Sequence, residues 1–152
     1  LARTAQPHTN LVYREFFYQT TSMTVWSPVI TSSTDEEKKF NSPSLAHKEC
    51  QSAFKDFINT NSGFYFSGYS PELTWILPSE NHYHSLYRTS ESSKMPLSFL
   101  DQRHLWTSSV YKEYFFSSPQ PLMFSTEEKK VKTTEEAGLI TASARCVLAA
   151  NP

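Results

Sequence analysis

Hydrophobic positions along most of this chain keep neither a helical period of 3.6 nor a strand period of 2 for long. The clearest exception begins at Ser42, after which Ala46, Cys50, Ala53, Phe54, Phe57 and Ile58 recur at three- and four-residue spacing. Ser42 supplies a cap, and Pro43 takes the first helical position, where its missing N–H costs nothing. The polar run from Asn59 to Ser62, followed by Gly63, stops the pattern. An amphipathic helix is therefore expected over 43–59. Val110, Tyr111 and Tyr114 suggest two more helical turns over 108–116, ended by Pro119 and Pro121. Thr133 and Glu136 have capping-box spacing, which extends the expectation to a small-residue helix over 134–148 despite Gly138.

The remaining apolar stretches read differently. Leu11 to Tyr18 is an aromatic run that suits either a strand or a helical turn, and Val25-Trp26 before Ser27-Pro28 reads as an extended anchor rather than a sheet element. From Gly63 to Trp106 the chain is dense in Tyr, Phe and His, and prolines at 71, 78 and 96 interrupt any ladder. It reads as an aromatic ribbon that needs a surface to lie on. The expected fold is a mostly irregular, extended chain with a few short α-helices, little or no β-sheet and no compact globular fold. Its expected divisions are an extended segment (1–41), the amphipathic helix (42–62), the binding ribbon (63–106), and short helices with a tail (107–152).

Composition sharpens this expectation. Leu, Ile, Val and Phe make up roughly 22 per cent of the chain, close to the level seen in disordered sequences, while Ser and Thr supply roughly a quarter. Net charge is only -1 and aromatics reach 14 per cent, so the chain is sticky rather than self-repelling. Three glycines imply few tight turns. Cys50 and Cys146 are too sparse for a secreted disulfide scaffold and read as reduced, in an intracellular compartment. No apolar run approaches the roughly 20 residues that span a bilayer, and a first residue other than Met suggests numbering that begins inside a longer gene product.

A catalytic reading finds little support. Neither phosphate-cradling glycine motif occurs, and Gly68-Tyr69-Ser70-Pro71-Glu72 lacks the second glycine of a nucleophile elbow. His82, His84 and His104, or His47 with Cys50, lack a second ligand pair at structural-zinc spacing. The carboxylate pairs Glu36/Glu37, Glu127/Glu128 and Glu135/Glu136 read as solvated faces and helix starts. No enzyme activity, cofactor, metal or small-molecule substrate is expected, and a pI of 6.6 gives no reason to expect nucleic acid. Rings with polar tips interleaved with Arg are the usual composition of protein-binding hot spots. The expected contact residues are Trp75, Tyr83, Tyr87, Arg88, Met95, Pro96, Phe99, Arg103, His104, Trp106, Tyr111 and Tyr114.

The segment Tyr83 to Trp106 carries spaced tyrosines, the step Tyr87-Arg88-Thr89, the run Lys94-Met95-Pro96-Leu97-Ser98, and then Arg103, His104 and Trp106. In these features it resembles segments of small cilia- and flagella-associated proteins that line axonemal doublet microtubules. The resemblance implies a structural microtubule inner protein of the cytoskeleton, binding tubulin and neighbouring inner proteins in cilia or sperm flagella, with no membrane or nucleic-acid partner. Three other readings stand beside it. The rings could form the core of a small irregular domain; the chain could be a soluble adaptor phosphorylated at Ser27, Ser42, Ser70 or Ser118, each before proline; or it could be a small enzyme with an unrecognised site.

Overall fold

Short aromatic and β-branched runs form sheet wherever the chain folds back on them. In the computed structural model, which describes residues 11–13, 15–19, 21–54, 74–88, 95–115 and 117–149, the N-terminal region forms two successive hairpins. Strands β1 (Leu11–Tyr13), β2 (Phe16–Gln19) and β3 (Thr24–Trp26) pair antiparallel, with Phe17 opposite Trp26 and Tyr18 opposite Val25. Strand β4 (Thr74–Ile76) joins this sheet through the last strand, β8 (Val147–Ala149), giving the order β1-β2-β3-β8-β4. A second antiparallel sheet is a meander of β5 (His104–Tyr111), β6 (Gln120–Ser125) and β7 (Lys130–Thr133). Helices α1 (Pro43–Ala53), α2 (Glu80–Tyr87) and α3 (Thr134–Ala137) and a 3-10 turn over Leu97–Leu100 complete the described elements.

Both faces of β2, β3 and β6 are buried over most of their length, and large rings do much of the filling. Tyr18, Val25, Trp106, Met123 and Leu148 point into one core, where Ala46 and Cys50 of α1 cover them. Their neighbours Phe17, Trp26, Leu105, Phe124 and Val147 point into a second core, covered by Tyr83, Leu86 and Tyr87 of α2 and by Phe99. Alternate residues of the strands enter the two cores, but most strands are only three or four residues long, so the period of two is brief. Large rings supply the volume that Leu and Ile supply elsewhere.

The stretch from Ala142 to Ala149 links the sheets. Phe40 N–H donates to Ala142 C=O (2.8 Å), Trp106 N–H to Ser143 C=O (2.9 Å), Ile30 N–H to Ala144 C=O (2.9 Å) and Ser27 N–H to Cys146 C=O (2.9 Å). It then continues as β8 between β3 and β4. Arg145 lies inside this stretch, about 1% exposed, and among the described residues no carboxylate pairs with it. Its guanidinium donates to Ser27 C=O (3.1 Å) and Ser98 C=O (3.3 Å) and lies 3.7 Å over the Phe99 ring. Burial lowers its pKa, while the phenols of Tyr87 and Tyr83 act in the opposite direction.

Several sequence expectations are corrected. The chain is not extended and poor in sheet: eight strands and many long-range contacts enclose two cores. The segment 1–41 contains β1 to β3, and Val25-Trp26 is a central strand. The turns expected from 108–116 are replaced by β5 and the loop that follows it. The helix expected over 134–148 stops after one turn, because Gly138 adopts the left-handed conformation (φ 67°) and the small residues beyond it fit the crowded space between sheets. Helix α1 confirms the cap and the start of the 43–59 expectation over 43–53; residues 55–59 lie outside the described set. Few glycines did not mean few turns either. Glu15, Met23, Asp35 and Lys129 take positive φ (69°, 53°, 63° and 57°), strain that non-glycine residues rarely carry.

The cysteines are not reduced. Cys50 and Cys146, both fully buried, form a disulfide that ties α1 to the chain just before β8 across a sequence separation of 96.

Candidate functional site

Strand β5 begins in the core and ends in solvent. Leu105 and Trp106 are buried, and the register with β6 then shifts between Trp106 and Val110. Thr107 stabilises this irregularity: its hydroxyl donates to Leu122 C=O (2.9 Å) and accepts from Ser109 N–H (3.1 Å). Past the shift, Val110 pairs with Pro121 and Tyr111 with Gln120, and side chains that would continue into the core face outward instead.

The result is an aromatic tip. Val110 is 57% exposed, Tyr111 47%, Tyr114 68% and Phe115 83%, within six consecutive residues. The tip is held by its own bonds. Tyr114 N–H donates to Ser117 Oγ (3.0 Å), Ser117 N–H donates to Tyr114 C=O (3.0 Å), and the Ser117 hydroxyl donates to the same carbonyl (2.8 Å). Lys112 Nζ donates to Phe115 C=O (3.2 Å) and lies 6.0 Å from the centre of its ring. Other exposed apolar residues, such as Leu45 on α1 and Leu97 and Leu100 on the 3-10 turn, stand singly or in a pair.

Most of the expected contact residues are internal. Trp75, Tyr83, Tyr87, Met95, Pro96, Phe99 and Trp106 are buried, and several polar tips have partners inside the fold. The Tyr83 hydroxyl donates to Trp106 C=O (3.1 Å), the Tyr87 hydroxyl to Phe99 C=O (2.8 Å), and Trp106 Nε1 to Phe40 C=O (2.8 Å). Burial raises the pKa of both tyrosines. Arg103 and His104 are half-buried; Arg103 pairs with Glu37 (2.9 Å) and Asp101 (3.4 Å). Partial burial opposes ionisation of Glu37, but its bonds with Ser143, Arg103 and Lys39 outweigh this and hold its carboxyl below the usual range. Arg88 is exposed and donates to Lys129 C=O (2.9 Å). Only Tyr111 and Tyr114 of the expected set come together in solvent. Val110, read only as part of a helical face, and Phe115, next to Tyr114 in the same run, were not among the expected contacts.

Among the described residues, no group of His, Cys, Asp and Glu could hold a metal ion, and no helix is long and apolar enough to cross a membrane. The chain matches no protein family, no curated protein and no solved structure.

Proposed function

We propose that this chain is a disulfide-stapled binding module that engages a protein partner through the tip formed by Val110, Tyr111, Tyr114 and Phe115. The observation that carries this reading is the ordered exposure of four apolar side chains on one hairpin end. Such a patch is costly in water and is characteristic of interaction surfaces, where Tyr and Phe act as anchors. The buried disulfide supports residence in an oxidising compartment.

The axonemal expectation drew its physical support from a chain with no core of its own and from rings free to touch tubulin. Tyr83, Tyr87, Phe99 and Trp106 are instead buried in this fold, so no observation here favours it over the tip. Phosphorylation as an adaptor is restricted in the same way. Ser27 is fully buried, accepting from Cys146 N–H (2.8 Å), and Ser42 caps α1; Ser118 alone of the described Ser-Pro sites is exposed.

The test is a photo-crosslinking amino acid at position 115, with a second version carrying it at position 45, on the protein in its native setting. A discrete adduct from position 115, absent from position 45 and competed by excess unmodified protein but not by Tyr114→Ser/Phe115→Ser, is expected. Indistinguishable adduct patterns from the two positions, or equal competition by the double variant, would overturn the tip as the binding element.

A further inference from the structure

A groove of about 500 Å³ lies beside the tip, and the exposed end of β5 forms part of its apolar lining. Val110 and Tyr111 contribute exposed surface there, with Leu122 and half-buried Val131 from the neighbouring strands. The charged residues that line it are all glutamates, at positions 80, 113, 135 and 136, with no Lys, Arg or His among them. The apolar part alone would suit many occupants. The negative charge of its lining selects among them.

We propose that this groove receives a basic segment of the protein partner, with a Lys or Arg stem along Val110 and Val131 and its cationic head among the glutamates. This inference rests on the tip reading, since the groove and the tip share Val110 and Tyr111. Long basic side chains combine an apolar stem with a charged end, which is the combination of surfaces found here. The carboxylates are available to such a head. Glu113 and Glu135 form no ion pair among the described residues, and Glu80 has only His84 at 3.9 Å. Glu136 accepts Thr133 N–H through Oε1 (2.9 Å), and that capping bond holds its carboxyl below the usual range, so it is ionised at neutral pH. The four carboxylates give the lining a negative charge, tempered beside Glu136 by Lys130 and Lys132, and a bound cationic head complements it.

The probe is a fluorescently labelled peptide of alternating Leu and Arg, with Leu-Ser and Leu-Glu peptides of equal length as controls, titrated against the full oxidised chain. The Leu-Arg peptide is expected to bind, more weakly as salt rises, and the other two are not. Glu113→Gln/Glu135→Gln should weaken that binding by about tenfold. Glu36→Gln/Glu127→Gln, at exposed sites outside the groove, should change it little; both variants are checked for an unchanged circular dichroism spectrum. Equal loss in both variants would reduce the effect to general charge attraction and overturn the inference. So would displacement of the peptide by micromolar calcium, which would make the glutamates a cation site. If the peptide fails to bind while the position-115 adduct persists, the groove proposal falls and the tip reading stands. If the peptide binds but that adduct is absent, the tip reading falls, and the partner assigned to the groove falls with it.

Discussion

His82 shows how one side chain can couple local structure to pH. Its Nδ1 accepts the N–H of Ser79 (3.0 Å) while the Ser79 hydroxyl accepts from His82 N–H (3.2 Å), closing a capping box at the start of α2. That role needs an unprotonated Nδ1, and burial lowers the pKa from its ordinary 6.5. Below about pH 6.5 the unfolded chain binds more protons than the folded one, so the stabilisation is complete above that pH and is lost as pH falls through the folded value. Thermal unfolding followed from pH 7.5 to 5 should show Tm falling with acidity. His82→Gln keeps a capping side chain without the titration and should flatten this dependence; an unchanged slope would refute the assignment. His104 is lowered in the same direction by burial and by Lys132, so some slope should remain. A second residue-scale test concerns Lys129, which is exposed at φ 57°. Lys129→Gly should stabilise the fold by up to about 1 kcal/mol, and Lys129→Val should destabilise it by about 1–2 kcal/mol, both measured by urea unfolding.

At the scale of elements, legibility followed the length of the pattern. Helix α1 was readable because Ser42, Pro43, Ala46 and Cys50 place a cap and a face within eleven helical residues. The Thr133/Glu136 capping box was readable too, but where its helix would end was not, since Gly138 at φ 67° sets that end. Strands of three or four residues show only two or three alternations, and their turns use Glu15, Met23 and Lys129 rather than the glycine or Asn-Gly signals that mark hairpins. The tip was half-legible: Tyr111 and Tyr114 stood out as rings, but their grouping with Val110 and Phe115 depends on a register shift that no sequence signal announces. Thr107 tests that account. Thr107→Val preserves shape but removes the donor to the Leu122 carbonyl, and should cost about 1–3 kcal/mol in chemical unfolding. Tyr114→Ser/Phe115→Ser lies outside both cores and should leave stability within about 0.5 kcal/mol. A large loss there would mean that the tip is structural.

At the scale of the molecule, the disulfide and the double core determine what the chain can be. Cys50 and Cys146 close a loop across a sequence separation of 96, and cross-links of that span stabilise by about 2–5 kcal/mol, chiefly by restricting the unfolded chain. The double variant Cys50→Ala/Cys146→Ala should lose stability in that range, and thiol alkylation of the denatured, unreduced protein should find both cysteines blocked. Composition misled at this scale because the aromatic content was read as sticky surface, whereas Trp26, Trp106, Tyr83, Tyr87, Phe17, Phe99 and Phe124 fill the interior. The most direct test of the central claim, that the ribbon rings Trp75, Tyr83, Tyr87, Phe99 and Trp106 are internal while the tip is offered to a partner, is amide hydrogen exchange on the isolated oxidised chain. Slow exchange is expected at Trp106, Tyr83 and the residues of β3 and β6 within the cores, with faster exchange at the exposed Lys112, Glu113 and Phe115 of the tip. Uniformly fast exchange would contradict it and restore a chain ordered only by its partner.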